Sequence, residues 1–422
     1  MIHDYFHFIK RSWPLLVFGM ITVFWGNFGQ SFFISWYGAS FQESLQLTAT
    51  AYGSAYSTAT LGSGLLLMWI GAAIDRVSLR WFVAFSATGL LIATINLSQT
   101  ETLTGLVICL FMLRFFGQGL LPHTGITTMA REFSLNRGKA VSIASTGVPL
   151  GEILLPSFAL ALIAAFGWQK SWFIIGLTIP LIYLPCAFWL LSRSHQIKYK
   201  EQQPVIGSSS GRVAKRQGSR RTLLKDYRFW LSLPAILAAP FIITGIFIHQ
   251  GFILAELGWT PLLFASCFVF YGVSHWFSSM YIGALVDRFS GVQLFKFYPI
   301  PMLLGLFVCS IVSGHWVAYT LMILLGLSIG SANPIINGLW AEVYGTKNLG
   351  AIRALISSLA VISTAASPIL FGILIDRGIS GQGLFGLLTL YVVAAILLSL
   401  FSFSARQVLA ENVTKENQHF EA

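Results

Sequence analysis

Gly71-Ala72-Ala73-Ile74-Asp75-Arg76 returns as Gly283-Ala284-Leu285-Val286-Asp287-Arg288, 212 residues further along the chain. The same offset relates Pro122 to Pro334, Gly138 to Gly350 and Pro156 to Pro368, with no gap needed. A single pair would mean little. A constant offset across turn residues and helix-kinking prolines is what a duplicated unit leaves behind. Around both copies, apolar runs of about 20 residues follow one another from Trp13 almost to the C-terminus, each long enough to cross roughly 30 Å of hydrocarbon.

Of the 422 residues, 55% are hydrophobic and only 10% charged. So few charges cannot build a water-facing surface, so the bilayer is the expected solvent. The runs predict helices near 13–37, 49–74, 81–97, 104–129, 139–163 and 171–191, then near 230–254, 262–285, 293–313, 317–341, 350–373 and 382–405. The expected fold is an all-α membrane protein of twelve transmembrane helices in two pseudo-symmetric six-helix bundles. The divisions are an N-terminal bundle over 1–191, a basic linker over 192–229, a C-terminal bundle over 230–406 and a tail over 407–422. The first run is longer than a signal-peptide core and is expected to stay as helix one.

The net charge of +11 raises the question of nucleic acid, but the basic residues lie in loops rather than on a folded basic face. With the N-terminus inside, 23 of the 26 Lys and Arg fall on the cytoplasmic side, Arg114 is intramembrane, and only Lys170 and Arg377 face outward. This bias predicts a multi-pass protein of the bacterial inner membrane with both termini cytoplasmic. The four cysteines sit in apolar runs without disulfide or zinc spacing, and neither a metal nor a cofactor is expected. There is no Gly-x-x-x-x-Gly-Lys-Ser/Thr, no His-Glu-x-x-His and no Gly-x-Ser-x-Gly, which argues against an ATP-driven pump and against an enzyme.

Two opposite charges, Arg114 and Glu152, fall at similar mid-bilayer depth on helices four and five. Each alone would cost at least about 2.5 to 3.5 kcal/mol to insert, so a mutual pair or a shared wet cavity is expected. Two readings follow. Either the pair is a static bridge between helices, or Glu152 takes up a proton when Arg114 is drawn to an anionic solute. Further polar candidates are Asn27 and Gln30 with Trp25 on helix one, Gln118 on helix four, and His249 and Gln250 on helix seven. Helix ten adds Asn333 and Asn337, which share one face with Gly326 and Gly330.

The segment Gly71-x-x-x-Asp75-Arg76-x-x-x-Arg80, repeated as Gly283-x-x-x-Asp287-Arg288, resembles the loop signature of the major facilitator superfamily. Arg114-x-x-Gly117-Gln118-Gly119 resembles a second pattern of that superfamily. Arg137-Gly138-Lys139-Ala140 leading to Gly147-x-Pro149-x-Gly151 is similar to the monocarboxylate-transporter-like branch. So is the stretch from Gly330 through Asn333-Pro334 to Glu342-Val343-Tyr344-Gly345. The resemblance implies a monomeric secondary transporter that moves a small organic solute, an organic anion such as a carboxylate, by alternating access coupled to protons. It also implies a cavity lined by helices one, four, seven and ten, and a cytoplasmic gate latch at Gly71, Asp75, Arg76, Arg80, Gly283, Asp287 and Arg288. Ser279 stands where animal members of the branch carry an arginine on helix eight, which removes a carboxylate clamp there. An exporter of drugs, siderophores or other metabolites would use the same scaffold. A non-transporting membrane sensor or assembly protein is the alternative of another class.

Overall fold

A computed structural model describes residues 2–133, 135–198, 220–345 and 349–403, and these are helical almost throughout, with no β-strand among them. Eleven of the described helices are long and apolar enough to cross a membrane: His7–Gly29, Ala49–Asp75, Leu79–Leu97, Leu103–Glu132, Arg137–Ser194, Tyr227–Ile248, Pro261–Phe289, Gly291–Ile311, His315–Tyr344, Ile352–Asp376 and Gly381–Leu400. The fifth is 58 residues long, which at 1.5 Å per residue is far more than one bilayer needs. Gly167 breaks it with φ 75 and ψ 168, so this stretch holds helices five and six, and the spans among the described residues number twelve. Large apolar side chains, among them Leu65, Trp69, Leu181, Phe277 and Leu390, are more than 60% exposed, which suits lipid rather than water.

Local chemistry sets where these helices begin. Thr48 accepts from the Ala51 amide at 3.1 Å to start helix two, and Thr260 accepts from Leu263 at 3.2 Å to start helix eight. These two caps are also 212 residues apart and add a position to the repeat. Thr102 and Ser380 cap helices four and twelve in the same way.

Several helices depart from the uninterrupted runs that the sequence predicts. Helix one is regular over Ile2–Gly26, tightens into a 3-10 turn at Asn27–Gly29 and becomes extended at Gln30, φ −79 and ψ 151. Short helical pieces then carry it to Leu45. Helix four widens into a π-helical stretch at Leu113–Leu120. Helix seven ends at Ile248, and a new piece starts at Gln250. Non-helical backbone at membrane depth persists only where protein or a wet cavity satisfies it, so these breaks mark where neighbours take over.

The chain forms two compact units. The first takes in residues 1–209 with Phe247–Gly251, and the second takes in 210–246 with 252–422. The expected linker, 192–229, lies largely outside the described residues. In the first unit, helices approach through glycine. A Cβ on Gly125 would lie 2.8 Å from the Gly19 carbonyl, and one on Gly147 would lie 2.9 Å from the Phe24 amide. In the second unit, Gly326 and Gly330 bring helix ten against the backbone of helix eight, where a Cβ on Gly330 would sit 2.9 Å from Ser278 Cβ. Near the start of helix seven, Phe229, Trp340, Tyr344 and Phe403 form a buried aromatic cluster.

Candidate functional site

The two irregular stretches of the first unit meet. Gly29, in the interruption of helix one, lies so close to helix four that a methyl group there would collide with the Leu113 carbonyl and come within 2.5 Å of the Gln118 amide. Gly117 faces it from the other side, its Cβ position 2.8 Å from Gly29 Cα. Backbone therefore rests on backbone at this crossing, which is why both positions are glycine.

Arg114 stands beside that crossing, 5% exposed. Its Nη1 donates to the Gly29 carbonyl at 3.5 Å, and its guanidinium lies 5.0 Å above the Tyr56 ring. Its Nε has no hydrogen-bond partner. What steadies this cation is thus a carbonyl and an aromatic face, two partners of no net charge.

Asn27, fully buried, donates from Nδ2 to the Gly147 carbonyl at 2.8 Å, while its Oδ1 has no partner. Its side chain fills the space a Cβ on Gly151 would need. The next residue, Glu152, is 4% exposed. The interruption of helix one therefore touches both charge-bearing helices: the Gly29 carbonyl accepts from Arg114 on helix four, and Asn27 packs on Gly147 and Gly151 of helix five.

The other expected residues scatter. Gln30 and Gln118 are half-buried within the same crossing. Trp25 turns to helix six, stacked on Tyr183 at 5.4 Å and donating to Thr178 Oγ1 at 3.4 Å. Gln250 accepts from Ser35 Oγ at 3.1 Å, and the His249 ring lies 6.2 Å from Tyr52. In the second unit, Asn333 is exposed and Asn337 half-buried.

Of the latch residues, Asp75 lies 4.0 Å from Arg131 with both side chains largely open to solvent, and Arg80 donates to Ser192 Oγ at 3.3 Å. Arg76 and Asp287 are exposed, and Arg288 stacks on Phe289 at 5.2 Å. The Cβ position of Gly283 is open, and that of Gly71 has only ordinary contact, at 3.7 Å from His123. Just after this loop in the second copy, Gly291 is tightly packed on the Gly338–Leu339 backbone.

Sequence reasoning missed several participants. Tyr56 reads as one more aromatic in an apolar run, although Gly26-x-x-Gly29 inside a membrane helix signals close approach. His123 binds the Gly71 carbonyl through Nε2 at 3.0 Å and so ties the signature loop to helix four. Glu342 accepts from the Gly291 and Val292 amides at 2.6 and 3.1 Å, capping the start of helix nine. Asp226, ahead of helix seven, accepts from Arg228 Nε at 3.1 Å and from the Tyr344 hydroxyl at 2.9 Å. Burial pushes its carboxyl up, but the Arg228 and Tyr344 hydrogen bonds outweigh this and hold it below the usual carboxylate range.

Among known proteins, a family model described as Major Facilitator Superfamily matches residues 16–249, more than half of the chain. No curated protein matches the sequence closely enough to count as a relative. A solved structure described as a bacterial homolog to the human lysosomal transporter Spinster, in an inward-facing and occupied conformation, is similar in fold. The TM-score is 0.68 and the identity 15%, over 96% of this chain and 98% of the other.

Proposed function

Because the chain belongs to the major facilitator superfamily, it is a multi-pass secondary transporter that works by alternating access, and we propose that its cargo is a small organic anion recognised by Arg114. The observation that carries this reading is the setting of Arg114: a buried guanidinium beside an interrupted helix, with neutral partners and an Nε still unpaired. A buried cation is costly, and an intramembrane charge is by default a functional candidate. A carboxylate arriving there would offer bidentate acceptors and the missing counter-charge. The likeness of helices four, five and ten to the monocarboxylate-transporter-like branch supports a carboxylate, while Ser279 on helix eight leaves Arg114 as the anchor.

Proton coupling through Glu152 belongs to the same proposal, supported by the burial of this residue on the helix that Asn27 packs against. The charge bias supports a reading with both termini in the cytoplasm of a bacterial cell and the Asp75 and Asp287 loops on that side as the gate. The protein is proposed to act as a monomer.

The test is counterflow of labelled mono- and dicarboxylates in proteoliposomes. Wild type is expected to exchange at least one of them, and Arg114→Gln to lose about tenfold or more of the rate, the value of one charge-assisted hydrogen bond. Exchange undiminished in Arg114→Gln would sink the anion reading. Binding without any accumulation would favour a sensor.

A further inference from the structure

A cation that is to receive an anion must be held in place beforehand, because a long, flexible side chain otherwise loses part of the binding energy to being ordered. The two contacts of Arg114 are unequal in this respect. The Gly29 carbonyl lies 3.5 Å from Nη1, long for a hydrogen bond, and holds one corner of the guanidinium weakly. The Tyr56 ring, its centroid 5.0 Å from Cζ, attracts the whole delocalised charge, and burial away from water strengthens that attraction. The ring is the firmer of the two holds.

Tyr56 is placed by packing that does not involve Arg114. It is fully buried, as are Tyr52 one turn before it on the same face of helix two and, to within 1%, Thr60 one turn after it. The Tyr52 ring packs in turn on Phe41 at 6.3 Å. Helices two and four touch elsewhere through glycine: a Cβ on Gly62 would lie 3.2 Å from the Phe111 ring, and one on Gly119 would lie 3.2 Å from Leu67. Ring and guanidinium are therefore presented to each other by the two backbones. The Tyr56 hydroxyl is buried without a hydrogen-bond partner, so the part of this residue that acts on Arg114 is its aromatic face.

We propose that Tyr56 is a positioning residue of the anion site, its ring holding the Arg114 guanidinium in the orientation that receives the solute without touching the solute itself. The inference rests on the reading of Arg114 as the anion-binding residue. Its consequence differs from that of a packing role. Without the ring the guanidinium has to be ordered when the anion arrives, so half-saturation needs more solute. Once the anion is seated, its own charge does the holding, and the maximal rate stays as it was. A packing defect would instead lower stability and the amount of active protein, and so the maximal rate, at an unchanged half-saturation.

Counterflow of labelled lactate, benzoate and succinate would be measured over a range of concentrations in proteoliposomes. Tyr56→Leu is expected to raise the half-saturation concentration about tenfold at a maximal rate within about twofold of wild type, and Tyr56→Phe, which keeps the ring, to match wild type. Pentafluorophenylalanine at position 56 has the shape of phenylalanine but a face that repels cations. It is expected to behave like Tyr56→Leu, and it tests the same point should the leucine variant fail to fold. An unchanged half-saturation in both of these variants, a fall in maximal rate alone, or an equal rise in Tyr56→Phe would overturn the role of Tyr56 while leaving Arg114 as the anion-binding residue. Exchange of none of these solutes by wild type, or exchange undiminished in Arg114→Gln, would overturn the reading of Arg114 and this role with it.

Discussion

Glycine at position 29 is the residue on which the candidate site is built, because no side chain fits between helix one and the Leu113–Gln118 backbone. Gly29→Val is expected to lower stability by about 3 kcal/mol or more, the upper range for overpacking, seen as a reduced melting temperature and poor recovery as a monodisperse protein. Gly283→Ala, at an open Cβ position, is expected to change stability by less than about 0.5 kcal/mol. If the two behaved alike, the steric account of the crossing would fail. The charges at this site were legible in the sequence because Arg and Glu are so rare inside apolar runs that each stands out unaided. Tyr56 was not, since aromatic residues at helical spacing are the ordinary filling of such runs, and only the position of Arg114 over its ring sets it apart.

Among the elements, helix existence followed from the bilayer, which demands about 20 apolar residues per crossing and so writes each span into composition. The breaks at Asn27–Gln30, Leu113–Leu120 and His249 were not legible, because hydropathy carries no information on which carbonyl an amide chooses. Capping contacts escape for a related reason: in the sequence Asp226 is one charge among several ahead of an apolar run, and only the fold brings the Tyr344 hydroxyl, at the far end of helix ten, onto it. Its hydrogen bonds favour the ionised form, so its contribution to stability is present above the unfolded carboxylate value of about 3.9 and is lost as pH falls through the lower folded value. Asp226→Asn is therefore expected to lower the melting temperature at pH 7, by the equivalent of about 1 to 3 kcal/mol for a broken charged hydrogen bond, and to differ less from wild type near pH 3. A gap between the two that stayed constant across this range would contradict the assignment.

At the level of the whole molecule, two copies of one plan could be read from the fixed offset of the turn residues, and the Thr48 and Thr260 caps extend it. The copies have diverged where chemistry is concentrated: Arg114 and Glu152 both belong to the first, and nothing at the matching offset, Gly326 or Thr364, carries a charge. If Glu152 couples solute movement to protons, Glu152→Gln should abolish accumulation driven by an imposed proton gradient while leaving solute exchange intact. Accumulation and exchange measured on the same proteoliposomes would separate these functions, and survival of both would remove Glu152 from the coupling role.

The contact of Gly29 with Gly117 joins two distant stretches of chain through main-chain atoms alone, with no side chain between them to act as a bearing. A machine that must flex cannot flex at such a weld. The bending that a working cycle demands has to be absorbed at joints that tolerate it, and the left-handed corners at Gly167 and Gly378 and the discontinuity at His249 are of that kind.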